Sequence, residues 1–258
     1  MEINGSSAIV TGGASGLGES TARLLADKGQ HVVVVDMNVE KGEAVAKDVG
    51  GVFVQADVAD TDQVIAAVDA AKEMGPVKTL VTAAGIGFAT RTIGRDGQYE
   101  SAHDLDAFKK VVEVNLIGTF NCIRLAASAM NNNDPDDDGQ RGSIVSVASV
   151  AAFDGQIGQA SYSASKGGVV GMVLPIARDL SAAGIRLNCI APGLIDTPIY
   201  GEGEASEAFK ANLGQSVLFP KRLGTSEEFA SMALELLTNS YMNAQTIRVD
   251  GGIRMPPK

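Results

Sequence analysis

The sequence predicts an α/β protein built on one doubly wound parallel sheet of about seven strands, with helices on both faces. Three observations carry that prediction. Short runs rich in Val and Ile alternate with longer stretches of helical period along the chain. Several of the runs are unbroken, as strands covered on both faces require. No Pro- or Ser-rich linker and no shift of composition interrupts the apolar segments from Ala8 to Val249. The 258 residues, 45% hydrophobic and 20% charged, suffice for one sizeable core, so residues 1–258 are read as a single domain.

The first strand is expected at Ala8–Val10, followed by the glycine-rich Thr11–Gly18 and a helix over Gly18–Lys28. Val32–Val35 and Val52–Val54 read as the next two strands, and Asp60–Met74 as a helix with apolar residues three and four apart. Leu80–Ala83 is the fourth strand, and a long helix follows over Ala107–Met130. The acidic stretch Asn131–Gly142 is an exposed connection to the strand at Ile144–Val147. A helix over Ser161–Ala183, a strand at Leu187–Ala191, a helix over Glu227–Leu237 and a strand at Ile247–Val249 complete the series, joined by right-handed crossovers. Thr197–Phe219 lacks a strand, is punctuated by glycine and exceeds an ordinary connection in length, so it is read as a lid.

A net charge of −10 offers no broad basic field to nucleic acid or to an anionic membrane, and neither is expected as a partner. Cys122 and Cys189 lie in apolar segments without metal-ligand spacing, and read as small buried hydrophobes in a reducing compartment. No apolar run reaches membrane length and the first strand starts close to Met1, so a cytoplasmic location is expected. His31 and His103 stand apart from any cluster of ligand spacing; both are read as surface residues, and no metal is expected.

The chemistry starts at Thr11–Gly18, TGGASGLG, between the first strand and the first helix. Glycine lets the chain turn and approach a pyrophosphate closely, and the helix N-terminus beyond supplies free N–H groups and a positive dipole end. The spacing Gly12, Gly16, Gly18 departs from the common G-x-G-x-x-G, and an ordinary glycine turn is the alternative. Asp36 ends the second strand about 20 residues further on, where a carboxylate accepts hydrogen bonds from the adenosine ribose and repels a 2′-phosphate. This points to NAD rather than NADP, a turn or cap carboxylate being the alternative.

Tyr162 and Lys166 are four apart and share a helix face. A free phenol ionises near pH 10, too high for a base at neutral pH, and a nearby ammonium favours the phenolate. A solvated helix face is the other reading of such a pair. Ser149 follows a strand, SIVSVAS, at the carboxyl edge of the sheet, where a hydroxyl faces the ligand crevice. Asn115 sits amid apolar neighbours in EVNLIGTF, where an amide needs partners; a satisfied core amide is the alternative to a catalytic one.

Thr11–Gly18, Asp36, Asp57–Val58, Ala84–Gly85, Asn115, Ser149, Tyr162 with Lys166, and PGLIDT (Pro192–Thr197) together resemble the classical short-chain dehydrogenases/reductases, a Rossmann-type family, over almost the whole chain. Within that family the chain is most similar to the type II 3-hydroxyacyl-CoA dehydrogenases, also described as multifunctional hydroxysteroid dehydrogenases. Arg141–Leu180, the insertion at Thr90–Asp106, Phe219–Gly224 and Ile247–Met255 carry that likeness.

The resemblance implies an NAD-dependent enzyme that interconverts a secondary alcohol and a ketone, a 3-hydroxyacyl-CoA thioester before a hydroxysteroid, and works as a homotetramer. Tyr162 would exchange the proton, Ser149 hold the substrate oxygen, Lys166 bind the nicotinamide ribose and lower the Tyr162 pKa, and Asn115 support a water relay. Gln156 would touch the substrate. Gly12, Ser15, Gly16, Leu17 and Gly18 would cradle the dinucleotide. Asp57 and Val58 would hold its adenine, Ala84 and Gly85 line its channel, and Pro192, Gly193, Ile195 and Thr197 meet the nicotinamide end. Arg91, Arg95, Lys109 and Lys110, in and just after the insertion, are candidates for the CoA phosphates. Two departures stand out. The fourth-strand motif, usually Asn-Asn/Cys-Ala-Gly, is Thr82-Ala83-Ala84-Gly85, leaving Thr82 to substitute for an asparagine that ties neighbouring strands. Tyr200–Val217 in the lid has no detailed likeness to the family.

Overall fold

In the computed structural model, residues 1–201 and 203–257 are described; positions 202, in the predicted lid, and 258 lie outside them. Seven strands, β1 (Ser7–Thr11), β2 (His31–Asp36), β3 (Val52–Gln55), β4 (Val77–Thr82), β5 (Gly142–Val147), β6 (Ile185–Pro192) and β7 (Thr246–Val249), form one sheet. Every pairing is parallel and the order is β3-β2-β1-β4-β5-β6-β7. The order reverses between β1 and β4, and it is outside the carboxyl ends of strands at such a switch point that an open α/β sheet forms its ligand crevice.

The strands read as continuous apolar runs because each face is covered. Along β2, Val33 and Val35 pack into one core with Ile9, Leu80 and Ile144, while Val32 and Val34 pack into the other with Ala8, Val10 and Val145. This is the two-residue alternation of a strand buried on both sides. Helices α3 (Thr61–Met74), α5 (Thr119–Met130) and α6 (Ala160–Ser181) cover the first face through Val68, Ile123 and Val173. Helices α1 (Gly16–Asp27), α2 (Val39–Asp48) and α8 (Ser226–Thr238) cover the second through Leu25, Val45 and Phe229. Each fully buried valine or leucine contributes roughly 1.5–3 kcal/mol relative to exposure.

Three elements differ from the sequence reading. Val39–Asp48 is helical, capped by Asn38, whose side chain accepts from the Lys41 N–H. The expected helix Ala107–Met130 is α4 (Leu105–Val112), a π turn over Glu113–Gly118 and then α5. The lid segment contains a helix, α7 (Glu204–Gly214).

At the opposite edge of the sheet, Arg186 on β6 is only 5% exposed and has no carboxylate partner among the described residues. Its guanidinium donates to the carbonyls of Leu236, Leu237 and Met242 and to Gln140 Oε1, at 2.6 to 2.9 Å. The first two carbonyls lie in the last turn of α8, so the cation meets the negative end of that helix. Cys122 and Cys189 are buried free thiols, Cys122 pushed up to about 12 by burial.

Candidate active site

A cleft of about 990 Å³ opens at the carboxyl edge of the sheet across the switch point. Every residue assigned above to the dinucleotide lines it, from Gly12 on the first loop to Thr197 at the start of the lid. The glycines there answer to space and to backbone angle. Gly12 has φ +67°, and a Cβ on it would sit 2.7 Å from the Ala84 N. A Cβ on Gly18 would collide with the Gly12 carbonyl oxygen. The loop is thus folded onto the end of β4 and onto α1, whose first turn points into the cleft. Ser15, the α1 N-cap, makes no side-chain cap bond, so the first-turn donors stay available to an anion. Asp36 is half-buried; its carboxylate accepts from the Ala14 N–H at 3.1 Å and the Asn38 N–H at 2.9 Å, which sets it beside the glycine loop. A glycine cradle at a helix N-terminus, a carboxylate about 20 residues on and a groove of this size suit a dinucleotide.

The strand tie expected of Thr82 is made elsewhere. Thr82 Oγ1 is buried and finds no partner among the described residues. Thr11 takes over: its hydroxyl accepts from the Ala84 N–H at 3.3 Å and its carbonyl from the Ala83 N–H at 3.0 Å.

Ser149, Tyr162 and Lys166 converge in the cleft. Ser149 leaves β5 in an extended conformation and caps the short turn Val150–Ala152, accepting from the Ala151 N–H at 3.1 Å. Tyr162 and Lys166 stand one turn apart on α6, with the ammonium 5.9 Å from the phenol ring centroid. Burial drives the Tyr162 pKa above its ordinary value, and the facing Ser149 hydroxyl partly offsets this. Lys166 is buried, donates to the Val147 carbonyl at 2.9 Å and is pushed down to about 8 by desolvation. The lowering of the phenol expected from Lys166 is not what the protein alone produces, where burial is the dominant influence.

Asn115 is fully buried behind the cleft wall and does not line it. The π turn, a common device at functional sites, carries its carboxamide. Oδ1 accepts from the Ile86 N–H at 2.8 Å, and Nδ2 donates to the Ile86 carbonyl at 2.9 Å and to Ser165 Oγ at 3.1 Å. The amide has no donor left for a water relay; it holds the Gly85–Ile86 wall against α6.

Gln156 is also absent from the lining, because its amide donates to the Pro256 carbonyl at 3.0 Å. Gln159, three residues before Tyr162, lines the cleft in its place, together with Phe88, Tyr200 and Met255. The three-residue spacing to Tyr162 is the one sequence signal that marks Gln159. Of the basic residues, Lys110 lines the cleft, pairs with Glu113 at 3.1 Å and approaches Asp57 at 3.7 Å, while Lys109 pairs with Asp106 at 2.8 Å. His103 is half-buried, not the free surface residue expected. It stands edge-on between Phe88 and Phe108, Nδ1 lies 3.0 Å from the Thr90 carbonyl, and Nε2 is buried without a partner among the described residues. His31 is exposed.

A Rossmann-type sheet whose cleft joins a glycine cradle to a Ser, a Tyr and a Lys defines an oxidoreductase of the nicotinamide dinucleotide type. The short chain dehydrogenase family model matches residues 6–208, and the chain belongs to that family. It is 47% identical over 258 residues to the 3-hydroxyacyl-CoA dehydrogenase type-2 of Drosophila melanogaster, covering 99% of this chain and 100% of that one. It is 48% identical over 259 residues to the Homo sapiens protein of the same name, covering 99% and 97%. A crystal structure of the Mycobacterium avium 3-hydroxyacyl-CoA dehydrogenase type-2 superposes with a TM-score of 0.94 at 44% identity, covering 100% of this chain and 99% of that one. No described helix is long and apolar enough to cross a membrane.

Proposed function

We propose that this enzyme uses NAD to interconvert a 3-hydroxyacyl-CoA thioester and its 3-oxoacyl form. The observation that carries the reading is the convergence of Ser149, Tyr162 and Lys166 at one end of a cleft whose other end is guarded by the Asp36 carboxylate. The full-length likeness to relatives of that activity supports the thioester substrate.

Gly12 to Gly18, Asp36, Asp57 and Val58 would hold the adenosine half of the dinucleotide; Gly85, Ile195 and Thr197 would frame the nicotinamide half. When bound, the nicotinamide supplies the hydride acceptor or donor. Ser149 donates a hydrogen bond to the substrate oxygen and fixes it against the Tyr162 hydroxyl. In the reducing direction Tyr162, protonated at neutral pH because burial raises it, delivers its proton to the forming alkoxide. In the oxidising direction its phenolate, formed once the phenol proton has passed to solvent, accepts the substrate proton, and the Lys166 ammonium limits the cost of that phenolate. Lys166 stays largely charged below about pH 8, so its support is present at neutral pH and fades above. Asn115 acts at one remove, holding the wall that positions the cofactor channel.

The Asp36 carboxylate favours NAD, because a 2′-phosphate would bring a second anion to it. Leu105, Ile117, Phe120 and Leu174 stand exposed on α4, the π turn, α5 and α6, and large apolar side chains left to solvent support a homotetramer. The buried free thiols suit the cytoplasm.

The test is a spectrophotometric panel pairing NAD and NADP with acetoacetyl-CoA-type thioesters of several chain lengths, steroids and simple secondary alcohols. Preference for NAD and thioesters is expected, and Tyr162→Phe should nearly abolish turnover while NADH still binds. Comparable efficiency with NADPH sinks the cofactor assignment, steroid preference sinks the substrate, and a competent Tyr162→Phe enzyme sinks the mechanism.

A further inference from the structure

We propose that the C-terminal tail, Ile253–Pro257, is the wall that sets the acyl chain length the cleft accepts, with Met255 as the specificity-determining side chain and Gln156 as the positioning residue that holds it. The proposal deepens the substrate reading above and, for the word acyl, rests on it.

After β7 the chain reverses at Gly251 and Gly252, with φ +57° and +80°, and crosses the loop that carries Ser149 toward Tyr162. Two bonds fasten it there. Gln156 Nε2 donates to the Pro256 carbonyl and the Ile157 N–H to the Pro257 carbonyl, each at 3.0 Å. Pro256 and Pro257 lack N–H groups, so this stretch offers acceptors only, and both bonds use them. Arg248 anchors the tail's root: it donates to the Ile253 carbonyl at 2.8 Å, pairs with Asp154 at 2.7 Å and lies 5.5 Å from the Phe153 ring centroid.

Ile253, 1% exposed, packs with Val150, next to Ser149, and with Val217 at the end of the lid segment; Leu194 and Met255 pack against the same cluster. Met255 therefore closes the gap between the shoulder that holds the substrate oxygen and the end of the lid. An unbranched, polarisable thioether with three soft torsions adapts to an unbranched chain lying along it. Gln156 faces this tail and not the cleft, which gives its amide a role that needs no substrate contact.

The test is steady-state kinetics of the full-length enzyme on unbranched 3-oxoacyl-CoA thioesters from short to long, with far-UV circular dichroism on each variant. Met255→Ala should raise kcat/KM for the longest chain relative to the shortest by about tenfold, and Met255→Trp should lower it by a similar factor. Met255→Leu should restore the parent profile. Gln156→Ala should repeat the Met255→Ala shift at smaller size, and should add nothing in the Met255→Ala background. Equal variant-to-parent ratios at every chain length overturn the proposal, as does a uniform loss of rate in Gln156→Ala, which would make Gln156 a direct substrate contact. If the parent enzyme ignores thioesters, the substrate reading fails by itself, and the same ratios are read over the unbranched members of whichever alcohol series the panel finds active.

Discussion

Replacing Lys166 with Met should make this protein more stable at neutral pH and all but inactive. The perturbation removes a buried ammonium whose pKa falls from 10.5 to about 8 because desolvation penalises its charged form. In the folded state the proton is held weakly and in the unfolded state strongly, so between about pH 8 and 10.5 the unfolded chain binds more protons and stability rises with pH. Below pH 8 the full penalty applies: a lowering of about 2.5 at roughly 1.4 kcal/mol for each step of one in pKa, or about 3.5 kcal/mol. Met keeps the length and apolar stem but loses the bond to the Val147 carbonyl, worth about 1–2 kcal/mol. The net gain at pH 7 is about 2 kcal/mol, read from urea unfolding followed by circular dichroism. The difference between variant and parent should shrink by about 1.4 kcal/mol from pH 7 to pH 9, as the parent sheds its buried charge. A difference that stays flat across that window refutes the reasoning, whatever its sign at pH 7. The combination of higher stability and lost turnover would mark Lys166 as a charge kept for chemistry at the expense of the fold.

Three further outcomes follow from the same geometry. Arg186→Met should destabilise the protein by about 2–4 kcal/mol, because the Leu237 carbonyl and Gln140 Oε1 lose their donor while the Leu236 and Met242 carbonyls are left with Ser143 at 3.4 Å and Asn188 at 2.8 Å; urea unfolding checks it, and a loss below about 1 kcal/mol would show that water replaces the guanidinium. Gly18→Ala should leave an α/β circular dichroism spectrum but weaken NADH binding more than tenfold by fluorescence titration, since the new methyl collides with Gly12 and forces the cradle open; the overpacking should cost about 1–3 kcal/mol. Asp36→Ala should reduce the ratio of kcat/KM for NAD over NADP at least tenfold, and an unchanged ratio would leave the carboxylate with only its bonds to Ala14 and Asn38.

The strands were legible because both faces of this sheet are covered, which turns each one into a short Val/Ile run that a solvated strand would not show. The helix Val39–Asp48 was hidden because Val45 and Ala46 are its only buried apolar side chains, too few to mark a face. The helix in the lid, with Phe209 exposed and Leu213 half-buried, carries no periodic apolar stripe either. In the site, residues whose type is demanded by chemistry, the glycines, Asp36, Ser149, Tyr162 and Lys166, could be found from their spacing. Residues whose part depends on which way a side chain turns could not. Gln156 and Gln159 are the same amide three positions apart, and only the tail's carbonyl decides which one leaves the cleft. Thr11 and Thr82 end neighbouring strands with the same hydroxyl, and it is Thr11 that takes the Ala84 N–H. His103 looked like a surface histidine because the two phenylalanines that flank it, Phe88 and Phe108, are distant in sequence from each other.

The π turn at Glu113–Gly118 amounts to one residue more than an α-helix would use to bridge α4 and α5. Its widened ring takes up that surplus without changing the phase of its neighbours: Val111 before it and Cys122, Ile123 and Ala126 after it all face the interior. Deleting the exposed Ile117 would close the ring and leave a plain helix with both flanking faces intact, while Asn115 would be turned off Ile86 by up to roughly 100°. The placement of this amide is thus a matter of residue count as much as of residue type. A shortened chain could keep its core and still lose the wall of its cofactor channel.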